Sequence, residues 1–138
     1  MKREILFRGA RMGDGKFVYG SLVFVKENDK SENELPHIVI SYGPGTFDWF
    51  EVEPETVGQY TGMTDKNGTK IFEGDILLEK GKVNNGDTGA IDVESKRIVS
   101  IENASDGYMC VVSNYRSLVH HKTIEVIGNI YDNKELLG

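Results

Sequence analysis

The chain has 138 residues, room for one domain that takes roughly two-thirds of its unfolded surface out of water on folding. Its 16 Lys and Arg stand against 22 Asp and Glu, and the net charge of −6 works against general attraction to nucleic acid or to an anionic membrane. A single cysteine, Cys110, excludes an internal disulfide, and no apolar run approaches a signal-peptide core or a membrane span, so a reducing cytoplasm is the expected compartment and no membrane partner is expected.

Ile and Val outnumber Leu and Ala by about two to one, and no long window keeps an apolar stripe at helical spacing. A mainly β fold follows, with the 16 glycines supplying turns between short strands. Over residues 3–9, Ile5 and Phe7 alternate with Glu4 and Arg8, which predicts a short strand that Gly9 ends. Lys2, Arg3, Arg8 and Arg11 make this a basic edge, suited to warding off other strands. Contact with phosphate is the alternative use of Arg3, Arg8 and Arg11.

The turn Met12-Gly13-Asp14-Gly15 leads into a strand over 16–26 whose two faces, Phe17/Tyr19/Val23/Val25 and Val18/Leu22/Phe24, are both apolar, as in a central strand; Gly20 predicts a bulge or bend. Residues 26–36 are charge-rich and read as a variable loop or hairpin tip. Pro36 then opens a strand with Ile38, Ile40 and Tyr42 on one face, stopped by Gly43-Pro44-Gly45. Phe47, Trp49 and Phe50 follow beside Asp48, Glu51 and Glu53; they are expected to be buried where a loop crosses a barrel mouth, with an exposed aromatic and acidic binding surface as the alternative.

The stretch from Val52 to Ile76 is dense in turn chemistry, with Gly58, Gly62, Gly68 and Gly74. Pro54 flanked by Glu53 and Glu55 predicts one helical turn, and Gln59-Tyr60-Thr61 a short strand. Asp65-Lys66-Asn67-Gly68 is a turn signature inside a hairpin. Glu73-Gly74-Asp75-Ile76 bends into an apolar strand, a step that small SH3-like barrels often use, although that analogy gives no function by itself.

From Ile76-Leu77-Leu78 a strand runs toward Lys82, and a second variable loop spans 80–90, where Asn85-Gly86 suits a tight turn. Strands are predicted near 90–94, 97–102 and 108–113, with Cys110 as a small buried hydrophobe. The last runs from Thr123 to Tyr131, where Gly128 leaves room for a neighbouring side chain over the backbone, and Asp132 is placed to cap a final helical turn.

Nothing here supplies a catalytic, cofactor-binding or metal-binding residue. There is no P-loop, nucleophile elbow or HExxH helix. A calcium-loop register from Asp65 would put Lys70 where the glycine belongs and Ile76 where the glutamate belongs. His120 and His121, as strand neighbours, would point to opposite faces. Carboxylates such as Glu51, Glu53, Glu55, Asp65, Glu73 and Asp75 could pair as acid and base, but spacing alone gives no specificity, and no cofactor is expected.

Three pieces of the chain together resemble the YopX-like family of small proteins encoded by phages and prophages. They are Arg3-Glu4-Ile5 through Phe7-Arg8; Thr56-Val57-Gly58-Gln59-Tyr60-Thr61-Gly62 through Asp65, Gly68, Ile71 and Gly74-Asp75-Ile76; and Glu125-Val126-Ile127-Gly128-Asn129-Ile130-Tyr131 with Leu136-Leu137. The likeness reaches both ends and leaves 26–50 and 80–120 weakly patterned. It departs at Gly9-Ala10-Arg11, where similar proteins often carry Ala-Trp-Asp. The resemblance implies a mainly β fold, a small SH3-like barrel with additional strands and one or two short helical turns, in a single domain over 1–138 that could comprise two lobes. It also implies a phage or prophage origin, and it brings no established activity.

Three functional readings stay open. The leading one is a non-enzymatic binding or assembly module in the bacterial host cytoplasm, working as a homo-oligomer that covers exposed strand edges. The second is a nucleic-acid-associated phage accessory protein using Arg3, Arg8 and Arg11 with Phe7, Phe17 and Tyr19 on a barrel face. The third is an enzyme acting on a small polar ligand beside Trp49 and Tyr60, which requires a pocket there.

Overall fold

A computed structural model describes residues 4–84, 86, 89–103, 109–113, 116–117 and 124–137. The protein is mainly β, with two sheets and only short 3₁₀ turns among the described residues. It divides into two compact units, Met1–Tyr60 and Thr61–Gly138.

The first unit contains β1 (Phe7–Ala10), β2 (Phe17–Lys26), β3 (Glu34–Gly43), β4 (Thr46–Glu51) and the start of β5 (Gly58–Thr64), hydrogen-bonded antiparallel in the order β4-β3-β2-β1-β5. β2 lies inside the sheet between β3 and β1, but its two apolar faces are not both covered, since Tyr19 and Val23 on one and Phe24 on the other are exposed. Gly9 does not end β1 but lies within it opposite Val18. A methyl group there would fall 2.7 Å from Val52 Cγ2, and Val52 is only 1% exposed, so the glycine is explained by close approach of a buried side chain. Residues 27–33 form the hairpin tip expected over 26–36, and only the ends of that range join the ladder, with Lys26 opposite Glu34 and Pro36 opposite Phe24.

Beyond β4 the chain turns back along β1. Arg11 and Val52 form an isolated antiparallel bridge, Met12 N–H donates to Glu51 O at 3.0 Å, and Glu53 N–H donates to Ala10 O at 2.9 Å. The 3₁₀ turn Pro54–Thr56 then loops out of this pairing. The Thr56 hydroxyl fills the gap: it accepts the Ala10 N–H at 2.9 Å and donates to Glu53 O at 2.6 Å, so a buried donor keeps its partner where the ladder lapses. The bridge ties two strand ends without extending into a ladder. Among the described residues no closed barrel is found, so of the SH3-like barrel that the family resemblance implies only the mainly β character is seen; the Gly74-Asp75 step shapes a turn and does not dictate closure.

The second unit contains the rest of β5, β6 (Lys70–Phe72), β7 (Asp75–Asn84), β8 (Ala90–Asn103), β9 (Met109–Ser113), β10 (Arg116–Ser117) and β11 (Ile124–Asn129). Its sheet has the order β10-β9-β8-β7-β11. Ile71, Leu77, Val99 and Ile124 form its buried core, with Met63 and Val126 packed against them. Instead of two strands at 90–94 and 97–102, β8 runs unbroken, because Ser95 and Lys96 stay in register opposite Glu79 and Leu78; both side chains are exposed, and exposed polar residues do not interrupt a ladder. β11 stops at Asn129 rather than Tyr131, where Asn129 Oδ1 accepts the Tyr131 and Asp132 N–H groups and turns the chain. Asn133, not Asp132, precedes the final 3₁₀ turn Lys134–Leu136. The predictions for Arg3, Asn85, His120, His121 and the Cys110 side chain fall outside what is described.

Candidate interaction surface

Antiparallel pairing sets which side chains share a face. Val23, His37 and Glu51 are opposite one another across β2, β3 and β4, and so are Ser21, Val39 and Trp49, with Ser41 and Phe47 next along. These odd-numbered positions, with Tyr19, form one side of the sheet. The even side buries Pro36 and Ile38. The odd side is open at Phe47, Trp49, Tyr19 and Val23, which are 58%, 55%, 47% and 42% exposed, but not at Arg8, which is buried opposite Tyr19; on the even side Phe24, opposite Pro36, is exposed as well. The His37 and Trp49 rings lie 5.3 Å apart between centroids.

Contrary to the loop expected at a barrel mouth, Phe47, Trp49 and Phe50 belong to a strand. Alternation sends Phe50 to the half-buried side while Phe47 and Trp49 face solvent. The sequence marks the cluster and leaves burial or exposure open, because burial depends on what covers the face; for Phe47 and Trp49 the exposed alternative is the one found.

A shallow groove of about 390 Å³ opens at the end of this surface, lined by Arg11, Met12, Asp14, Trp49, Phe50 and Glu51. Its charges are largely paired. Arg11 Nε donates to Asp14 Oδ1 at 3.2 Å, Nη2 pairs with Oδ2, and the guanidinium carbon lies 5.1 Å from the Phe50 ring centre. The Arg11 bonds, with the Lys16 N–H donated at 3.0 Å, hold the Asp14 carboxyl down to about 2. At the hairpin tip, the hydrogen bond to Asp48 raises the Tyr42 phenol.

Of the basic residues proposed to meet nucleic acid, Arg8 is 4% exposed, with its guanidinium 4.8 Å from the Phe17 ring centre, and Arg11 is held by Asp14. Arg3 lies outside the described residues.

The motif residues shape backbone. Gly58 and Gln59 pair with Arg8 and Phe7, and the Tyr60 N–H donates to Leu6 O at 2.8 Å. In the second unit, the Thr61 hydroxyl donates to Ile71 O at 2.8 Å and accepts the Met63 N–H, and Gly62 is exposed on β5. Buried Asp65 accepts three amides: Asn67 and Thr69 on Oδ1 at 2.8 and 2.9 Å, Val126 on Oδ2 at 2.9 Å. Gly68 closes that turn onto Asp65 O at 3.0 Å. Asp75 Oδ2 accepts the Phe72 N–H at 2.8 Å. Gly74 has φ +86, and a methyl group there would lie 3.0 Å from the Tyr131 ring; positive φ and the close ring both call for glycine. Asn133 covers Gly128. Among the described residues, no three His, Cys, Asp or Glu side chains gather as a metal site, and no helix is long and apolar enough to cross a membrane.

Together these features define a mainly β protein that presents an aromatic sheet face. The family described as YopX protein matches residues 6–138, nearly the whole chain, and the chain belongs to that family. A crystal structure of protein EF1440 from Enterococcus faecalis is similar, with a TM-score of 0.54 and 23% sequence identity, covering 99% of this chain and all of that one; the likeness is one of fold. No curated protein matches the chain.

Proposed function

We propose that this protein is a non-enzymatic binding or assembly module whose docking surface is the odd-numbered face of β2, β3 and β4. The exposure of Phe47 and Trp49 beside Tyr19 and Val23 carries the reading. Aromatic residues gathered on one open face are the material of protein–protein contacts, whereas Asp65 and Asp75, the buried carboxylates of the glycine-rich block, are engaged by backbone amides. The partner is another protein or further copies of this chain. The setting, a bacterial cytoplasm during phage growth, rests on the family resemblance. Nucleic-acid binding draws less support, since Arg8 is buried and Arg11 is held by Asp14.

The test is affinity capture from bacteria carrying the protein, with identification of bound protein and nucleic acid, run in parallel with Phe47→Ser/Trp49→Ser. Material retained by the wild type and lost from a folded double variant supports the docking face. Equal recovery on both removes it, and nucleic acid retained by both favours the alternative.

A further inference from the structure

β4 has a free edge. Val52 N–H donates to Pro36 O at 3.1 Å, and Val52 and Pro36 continue the register of Phe50 with Ile38 and Asp48 with Ile40. In an antiparallel ladder, hydrogen-bonded and non-bonded pairs alternate. Glu51, Trp49 and Phe47 therefore belong to the non-bonded pairs, and their backbone N–H and C=O groups point away from β3. The Glu51 carbonyl fits this assignment, since it accepts the Met12 N–H. Past that point, among the described residues, no strand pairs with the outer edge at Trp49 and Phe47.

Exposed edges are usually defended by lysine. Residues 46–57 contain Asp48, Glu51, Glu53 and Glu55 and no Lys or Arg. Glu51 is half-buried in the groove beside Trp49, and its carboxylate has no hydrogen bond or ion pair among the described residues. Arg11, the cation lining the groove among the described residues, is held by Asp14.

We infer that the β4 edge accepts an extended segment of a partner protein as an added strand, with a Lys or Arg of that segment lying along Trp49 and meeting Glu51. Main-chain bonds to Phe47 and Trp49 supply the pairing, and the groove selects the basic side chain. A hydrocarbon stem on the indole and a charged head at the carboxylate match the way long cationic side chains divide between apolar and polar surroundings. A second copy of β4 fits less well, because it brings two further carboxylates and no cation. This inference rests on the docking reading proposed above and narrows it to one edge and one partner chemistry.

The probe is a displayed library of random short peptides, selected in parallel on the wild type and on Glu51→Lys and Phe47→Ser/Trp49→Ser variants. The inference expects wild-type selections enriched in Lys or Arg flanked by alternating apolar residues, with affinity falling at least about tenfold on Glu51→Lys, which should instead select acidic peptides. Hydrogen exchange of a selected peptide complex should slow at the Phe47 and Trp49 amides. Peptides that lack a basic residue, bind Glu51→Lys equally well and leave those amides unprotected, yet are lost from the aromatic variant, overturn the edge inference and leave the docking face standing. Selections indifferent to all variants overturn both. Self-association of the wild type that Glu51→Lys strengthens assigns the edge to a second copy and likewise overturns the inference.

Discussion

Asp65 offers the sharpest test of how the glycine-rich block works. Its buried carboxylate joins two places far apart in sequence: the turn at Asn67 and Thr69, and the Val126 amide of β11, next to the register shift between Val126 and Gly128. In Asp65→Ala the three donors lose a charged acceptor. Asn67 and Thr69 are on an exposed turn where water can replace the carboxylate, so each loss should amount to about 0.5–1 kcal/mol. The Val126 amide is half-buried and packed beside the core, so leaving it unsatisfied should cost about 1–3 kcal/mol. The expected total is about 3 kcal/mol, read as a lower denaturant midpoint at unchanged slope.

The same carboxylate makes this loss pH-dependent. Burial alone pushes the Asp65 pKa up, but the Val126, Thr69 and Asn67 amides, with the Lys66 charge, outweigh it and hold the group below its ordinary value. A folded-state pKa below the unfolded one gives stability that is complete above the ordinary aspartate pKa of about 4 and lost as pH falls through the lower folded value. The gap between wild type and Asp65→Ala should therefore be widest near neutrality and shrink in acid. A loss under about 0.5 kcal/mol, typical of a surface change, or a gap that stays constant into acid, would refute the assignment.

Three further outcomes are expected. Gly74→Ala must hold a side chain at φ +86 against the Tyr131 ring, and a thermal melt should show about 1–3 kcal/mol of destabilisation. Asp14 should titrate at about 2 by carbon NMR, since Arg11 and the Lys16 amide favour its anion, and Arg11→Gln should return it toward about 4. Phe47→Ser/Trp49→Ser should change stability by no more than about 1 kcal/mol, because both side chains are exposed. Partner affinity should fall at least about thirtyfold.

Local chemistry was legible in the sequence wherever it was self-contained. The Asp65-Gly68 turn and the 3₁₀ turn after Glu53 follow from side-chain bonding and proline geometry. What depended on distant partners was not. Gly9 looks like a strand end until Val52 is placed against it, and Ser95-Lys96 looks like a break until Glu79 and Leu78 hold it in register. Closure is of the same kind: the family resemblance and a Gly-Asp turn speak to strands and one corner, whereas a barrel needs pairing around its whole circumference.

The residues of the glycine-rich block and those of the proposed docking surface are held by different physical constraints. Gly74 meets a ring at positive φ, Gly128 lies under Asn133, and Asp65 holds three amides, so each position is dictated by the backbone around it. Tyr19, Val23, Phe47 and Trp49 are held by no such requirement, since many side chains fit the open face of a sheet. They lie outside the three sequence pieces that carry the YopX likeness. Membership of the family, which rests on a match over residues 6–138, does not by itself assign a partner. If the face is the docking surface, exchanging its four side chains for those of another family member should transfer binding preference with little change in stability, whereas exchanging Asp65 or Gly74 for other residues should lower stability before it changes any preference.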